Sequence, residues 1–228
     1  MKIRIIFEDN HIIVAEKPVN IPSQKDSSND DDMLTLLKAD IKKRYNKPGN
    51  VYLGLVHRLD RPAGGVMAFA KTSKAASRLS EQMRSGRFKK IYLAVVNGKP
   101  EKPDDKLRHF LLKDERTNIV SIADESAKGA KLALLLYEEI EHTENLSLIK
   151  IDLHTGRPHQ IRAQFSHIGN PLWGDQKYGA ALNKPGQQLA LWSVELAFTH
   201  PVSNEELSFK SMPPAKAPWN MFNYFKTH

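Results

Sequence analysis

The pattern that most limits how this chain can fold is a pair of alternating apolar runs, Lys131 to Ile140 and Leu146 to His154, separated by a few polar residues. Period-two alternation puts every second side chain on one face of a strand. Two such runs joined so closely predict an antiparallel pair. Further short runs read as strands: Lys2 to Phe7 and His11 to Glu16 around the turn Glu8-Asp9-Asn10, then Val51 to Val56, Gly65 to Ala70, Phe88 to Val96, Leu189 to Phe198 and Glu206 to Phe209. Helical spacing is rarer. Leu34, Leu37, Ile41 and Tyr45 follow an acidic loop and end at Pro48-Gly49, and Ala76, Leu79 and Met83 follow a Thr72 or Ser73 cap. Strands outnumber helices, so the predicted class is α+β, a mixed, largely antiparallel sheet core with flanking helices.

With 228 residues the chain can bury a sizeable core. We expect one domain over residues 1–228, built as two lobes sharing one basic cleft, with the charged stretch 101–129 as a hairpin-like insertion. Trp219, Phe222 and Phe225 mark a short amphipathic segment at the end. There is no cysteine, which removes disulfides, thiolate nucleophiles and thiolate zinc sites and fits a reducing compartment. The apolar run Ile5-Ile6-Phe7 stops at Glu8, and Leu132 to Tyr137 is too short to span a bilayer. A cytoplasmic protein with no membrane partner is expected.

The net charge of +8 is uneven. Residues 1–100 hold 19 Lys and Arg against 10 Asp and Glu, whereas residues 101–150 hold 8 against 11. A basic half favours polyanions, and also serves plain solubility. That half contains His57-Arg58-Leu59-Asp60-Arg61-Pro62, one carboxylate between two arginines where an apolar run ends. Nearby cations favour a charged carboxylate. Alone, the motif reads as well as a salt-bridge cluster at a strand end as it does a reactive group.

The second dense polar stretch is His154-Thr155-Gly156-Arg157-Pro158-His159-Gln160-Ile161-Arg162. It predicts a turn into a helix with Pro158 near the first position, whose free N–H groups and Arg157 would attract an anion. Arg162, one turn on, would be placed to pair with a carboxylate. The third is Lys89-Lys90-Ile91-Tyr92-Leu93-Ala94, an aromatic on a strand beside a basic rim, suited to stacking a base and equally to a core. A metal centre built from His57, His154, His159 and His167 is disfavoured by their spacing and by the adjacent arginines. No Gly-rich phosphate loop is present.

Taken in this order, the three stretches resemble the motifs of the RluA-type family of RNA pseudouridine synthases: His-Arg-Leu-Asp, Lys-x-Tyr-Leu-Ala and Thr-Gly-Arg-x-His-Gln-Ile-Arg. Glu16-Lys17-Pro18, Pro171 to Gly179, and His200-Pro201 with Phe209 to Pro214 resemble flanking segments, so the likeness runs from about Phe7 to Pro214. Pro62-Ala63-Gly64-Gly65 departs from the more usual Thr-Ser-Gly. The chain also starts at the catalytic region, leaving no room for the small N-terminal S4-type RNA-binding domain of many relatives. Target choice would then be expected to fall to the catalytic domain or to partners.

The resemblance implies isomerisation of a uridine in ribosomal or transfer RNA to pseudouridine, by a monomer with no cofactor, metal or nucleotide. It implies Asp60 as the catalytic carboxylate, Arg162 as its ionic partner, and Tyr92 stacked on the target base. Arg58 would fill the gap left when that base flips out. His57, Lys71, Lys74, Arg84, Arg87, Lys89, Lys90, His154, Arg157 and His159 are expected to contact RNA or shape the pocket. The competing expectation is a non-catalytic RNA-binding protein on the same fold.

Overall fold

The structure, a computed structural model, describes residues 2–26 and 28–227. In chain order its elements are β1 (Arg4–Glu8), β2 (Ile12–Lys17), α1 (Met33–Arg44), β3 (Gly54–Leu55), β4 (Gly64–Ala70), α2 (Ser73–Arg84), β5 (Lys89–Asn97), β6 (Asp104–Asp114), β7 (Ile119–Ala123), β8 (Lys131–His142) and β9 (Leu146–Leu153). There follow α3 (Gln160–His167), β10 (Leu191–Thr199), β11 (Glu206–Lys210), a 3₁₀ turn (Trp219–Met221) and α4 (Tyr224–Thr227). The predicted α+β class holds. The chain divides into two compact units, residues 1–89 with 193–212, and residues 90–192 with 213–228.

In the first unit β2 pairs with β1 and β4, β3 with β4, and β10 with β11, all antiparallel. The β2–β4 register sets Ile12 opposite Ala70 and Val14 opposite Ala68. These four form one face, which packs with Val66, with Ala75 and Leu79 of α2, and with Phe88, Leu196, Phe198 and Phe209. Ile13, Ala15, Met67 and Phe69 on the other face are also fully buried. Burial on both faces explains why β4 is apolar throughout and does not alternate. Asp32 caps α1 by accepting the N–H groups of Leu34 and Thr35, and Thr72 caps α2 by accepting that of Ala75.

Gly65 is required by backbone approach. Its φ is +118°, and a Cβ there would lie 2.3 Å from the Ser193 carbonyl oxygen. Gly65→Ala is therefore expected to lose about 3 kcal/mol or more in urea unfolding, combining strain with overpacking. The predicted strand over Val51 to Val56 contracts to Gly54–Leu55. Only these two residues find ladder partners, Ala70 and Phe69.

In the second unit β9 pairs with β5 and β8, and β6 with β8 and β7, giving the antiparallel order β5-β9-β8-β6-β7. The alternating runs do pair, with Tyr137 opposite Ile151. Residues 104–123 form the hairpin β6–β7, and β6 is also bound along its length to β8. Leu111, Val120, Ala133 and Ala163 make a small core under Tyr178. Helix α3 starts two residues later than Pro158, because His159 takes a left-handed backbone (φ 49°). Arg162 therefore lies in the first turn. Trp219 and Phe222 are buried as the terminal pattern predicts. Among the described residues, no helix is long and apolar enough to cross a membrane.

Candidate active site

Along His57, Arg58, Leu59 and Asp60 the side chains run buried, exposed, buried, half-buried. The two inward residues fix the segment. Leu59 is gripped at both backbone groups by Ser23, whose Oγ donates to its carbonyl at 2.8 Å and accepts its N–H at 3.1 Å. His57 Nε2 accepts the Ala68 N–H at 3.0 Å, and its ring centroid lies 5.5 Å from that of Phe88. The His57 ring is thus buried and ties the segment to β4.

After Asp60 the chain turns. The Ala63 N–H donates to the Asp60 carbonyl at 3.0 Å, and the Asn20 N–H to the Arg61 carbonyl at 2.8 Å. The guanidinium of Arg61 lies 3.6 Å from the Asp26 carboxylate and also pairs with Asp30. This is the surface role left to an arginine outside the chemistry. Beneath the turn sits Lys17, fully buried, donating to the carbonyls of Pro18 (3.0 Å), Arg61 (3.0 Å) and Ala63 (2.6 Å). Burial pushes its ammonium down to about 7. The Asp60 carboxylate opposes that fall and the Arg61 charge adds to it. Asp60 is thus a half-buried carboxylate on a tethered turn, beside an exposed arginine.

The other expected site residues belong to the second unit. Tyr92 is buried on β5, opposite Ile151 of β9. Arg162 is buried and makes a two-pronged pair with Asp175, Nε to Oδ2 at 2.7 Å and Nη2 to Oδ1 at 2.8 Å. Its guanidinium also lies 5.2 Å from the ring centroid of Tyr178. Burial would raise the Asp175 carboxyl, but Arg162 and the N–H groups of Tyr178 and Lys177 outweigh it and hold the group below the usual carboxylate range. Tyr178 continues the cluster. Its hydroxyl accepts the Val120 N–H at 2.9 Å and lies 2.8 Å from His159 Nδ1. The turn before α3 closes on Gln160 Oε1, which accepts from the Arg157 N–H and from the Thr155 hydroxyl.

The expected RNA contacts separate by exposure. Arg58, Lys74, Arg84, Arg87, Lys89 and His154 are exposed, and Arg157 and His159 are half-buried. Arg84 pairs with Glu81, Arg87 Nε donates to Ser85, and Arg157 Nε to the Leu132 carbonyl at 2.8 Å. Two lysines are engaged internally. Lys71 is drawn in by Glu8 at 2.7 Å and the Asp9 carbonyl, so its charge is used internally. Lys90 is only 6% exposed, and burial pushes it down to about 8 against the pull of Asp152. Neither presents a free surface cation to a phosphate. Among the described residues, no group of three or more His, Asp or Glu is placed to hold a metal ion.

Sequence reasoning missed four residues that hold this geometry: Lys17, Ser23, Asp175 and Tyr178. Lys17, Asp175 and Tyr178 lie in the flanking segments noted above. The one local signal was a lysine ending the apolar run of β2, where burial is the natural outcome.

The geometry is that of an antiparallel α+β scaffold carrying a tethered aspartate beside an exposed arginine. The family model for RNA pseudouridylate synthase matches residues 11–167. The chain is 32% identical to ribosomal large subunit pseudouridine synthase D of Zymomonas mobilis subsp. mobilis over 93% of its own length and 69% of the relative's. It is equally identical to the D enzyme of Nitrosomonas europaea, over 93% and 62%. The chain thus spans 62% to 69% of the length of these curated relatives. The solved structure of human RNA pseudouridylate synthase domain containing 4 superposes with a TM-score of 0.78 at 21% identity, covering 92% of this chain and 88% of the other, which identifies the fold. The chain belongs to the RNA pseudouridylate synthase family.

Proposed function

We propose that this chain converts a uridine of ribosomal RNA to pseudouridine with Asp60 as its catalytic carboxylate. The observation that carries the reading is the Asp60 turn itself: a carboxylate half open to solvent, held at Leu59 by Ser23, with Arg58 exposed beside it. The names of the relatives support ribosomal RNA as the substrate class.

The reaction breaks the N1–C1′ bond, turns the uracil, and joins C5 to C1′. The C5 proton leaves and N1 gains one, so nothing is oxidised or reduced and neither nucleotide cofactor nor metal has a step. Asp60 starts the sequence by attacking C1′ or by taking the 2′ proton, and either route needs the ionised carboxylate in a pocket closed to water. Arg58 enters the stack vacated by the flipped nucleotide, where a guanidinium both stacks and meets phosphate. Tyr92 stacks on the uracil. Arg162 is assigned as the cation for the Asp60 carboxylate on the order of the sequence motifs. Arg84, Arg87, Lys89, His154, Arg157 and His159 meet the RNA backbone or shape the pocket. One domain of two lobes, working as a monomer in the cytoplasm, completes the reading.

Pseudouridine mapping of total cellular RNA with and without this chain tests it. At least one position in ribosomal RNA should lose its modification without the protein and regain it when the protein is added to the unmodified RNA. A lost position in transfer RNA would move the substrate, and no lost position would favour a non-catalytic RNA-binding protein.

A further inference from the structure

We propose that the C-terminal end of α1 and the loop after it form a second RNA-binding surface, in which Lys38, Lys42 and Asn50 hold the backbone and Tyr52 stacks a base. The inference deepens, and rests on, the reading of ribosomal RNA as the substrate. Residues 38–47 hold five cations, Lys38, Lys42, Lys43, Arg44 and Lys47, against one carboxylate, Asp40. Residues 48–56 carry no charge. Asp40 is taken by Arg44, which also pairs with Glu8. The four lysines make no ion pair among the described residues. Lys42, Lys43 and Lys47 are exposed and Lys38 is half-buried.

Lysines at the end of a helix often serve its last carbonyls. Here those carbonyls are already met. The N–H groups of Tyr45, Asn46 and Lys47 donate to the carbonyls of Ile41 (3.1 Å), Lys43 (3.4 Å) and Lys42 (3.1 Å), with Asn46 left-handed at φ 45°. This closing turn fixes the helix end and leaves the ammonium groups to solvent. Lys38 and Lys42 stand one turn apart, where like charges repel. A bound polyanion turns that repulsion into attraction. The two lysines line a groove of about 360 Å³ with Ala39, Gly49, Asn50 and Val51, and no carboxylate shares it.

The aromatics point the same way. Helical spacing groups Tyr45 with the buried Leu37 and Ile41, yet it is the cap residue and 52% exposed. The Arg44 guanidinium and the Lys71 ammonium lie 5.1 and 5.4 Å from its ring centroid. Tyr52 is 51% exposed. A Cβ on Gly54 would lie 2.9 Å from the Tyr52 hydroxyl and 3.2 Å from the Ala76 Cβ, so the phenol end rests where a side chain is missing. Cations along a backbone and a seated aromatic for a base are the two parts of a single-strand nucleic-acid site. An acidic protein segment would use the lysines alone. Tyr52 precedes Asp60 by eight residues, at most about 28 Å along the chain, so one RNA reaches both.

The experiment measures binding of unmodified ribosomal RNA by the full chain as salt is raised, with pseudouridine formation followed in parallel. In the double variant Lys38→Gln, Lys42→Gln the dissociation constant should rise about tenfold at about 0.1 M salt. The slope of log affinity against log salt should become shallower by about 1.4, two phosphate contacts at about 0.7 each. Tyr52→Ala should weaken binding about tenfold with the slope unchanged, and Tyr52→Phe should restore it, since stacking needs the ring and not the hydroxyl. KM should rise in the lysine and alanine variants with kcat within about twofold, the mark of lost uniform binding. The lysine variant, altered only at the surface, decides the matter if Tyr52→Ala fails to fold. An unchanged salt slope in it overturns the proposal, as does wild-type affinity in Tyr52→Ala. If the variants lose RNA as expected but the wild-type chain forms no pseudouridine, the surface stands and the reading of the reaction falls. Pseudouridine formed by wild type with KM unchanged in the variants does the reverse.

Discussion

Asp60→Asn and Asp60→Ala each remove tritium release from RNA labelled at uridine C5, by about four orders of magnitude or more, the scale lost when a group acting directly on the reacting atoms is deleted. The carboxamide keeps the shape of the side chain and loses its charge and basicity, so either route to C1′ is closed. The fold should tolerate the change. The turn is held by backbone bonds from Ser23, Lys17 and Asn20, none of which uses the Asp60 side chain. Both variants should keep the native fold but unfold at a lower temperature than wild type, because the buried Lys17 ammonium loses a nearby counter-charge. The Asn variant should still bind labelled RNA, separating chemistry from recognition. A chelator should leave wild-type release unchanged. Release that persists in both variants would take the catalytic role away from Asp60.

Asp175→Ala costs the most stability. Its carboxylate is fully buried and meets Arg162 in two parallel bonds. Removing it breaks a buried ion pair from one side, a loss of about 3–5 kcal/mol, and also frees the N–H groups of Lys177 and Tyr178. Asp175→Asn keeps an acceptor and should lose less. The pH dependence has a definite sign. The folded carboxyl lies below its unfolded value, so the stabilisation is complete above about pH 4 and is lost as pH falls through the folded pKa. Urea unfolding should therefore show a gap between wild type and Asp175→Ala that is full at pH 7 and closes in acid. A gap that does not change with pH would mean that the loss is one of packing rather than charge.

These predictions divide into what local pattern reveals and what it does not. The β8–β9 pair was legible because alternation is a property of neighbouring residues. So was the Asp60 motif, because its cations flank it in sequence. The helix cap at Thr72 follows the same logic. Val51 to Val56 misled because an apolar run reports burial, whereas a strand also needs an unfilled ladder, and only Gly54 and Leu55 had one. Lys71 and Lys90 misled in the opposite way. A lysine in a basic stretch looks solvated until Glu8, or burial on β5, claims it.

Lys17 and Ser23 were hidden for a deeper reason. Apart from the Pro18 carbonyl, their backbone partners lie more than thirty residues away, and a carbonyl carries no side-chain identity in the sequence. The Arg162 and Asp175 pair is closer, at thirteen residues, but local pattern does not say which acidic group a buried arginine will meet.

The first unit is discontinuous, and this sets a timetable for synthesis. The sheet from β5 to β9 needs nothing beyond residue 153, so it can form while the chain is still emerging. The core beneath β2 and β4 waits for Leu196, Phe198 and Phe209, the last of them some 190 residues after strand β2 has left the ribosome. The aspartate turn is thus made early and seated late. A nascent chain halted before β10 would carry the Asp60 turn on an unfinished support, with the core of β2 and β4 still lacking Leu196, Phe198 and Phe209.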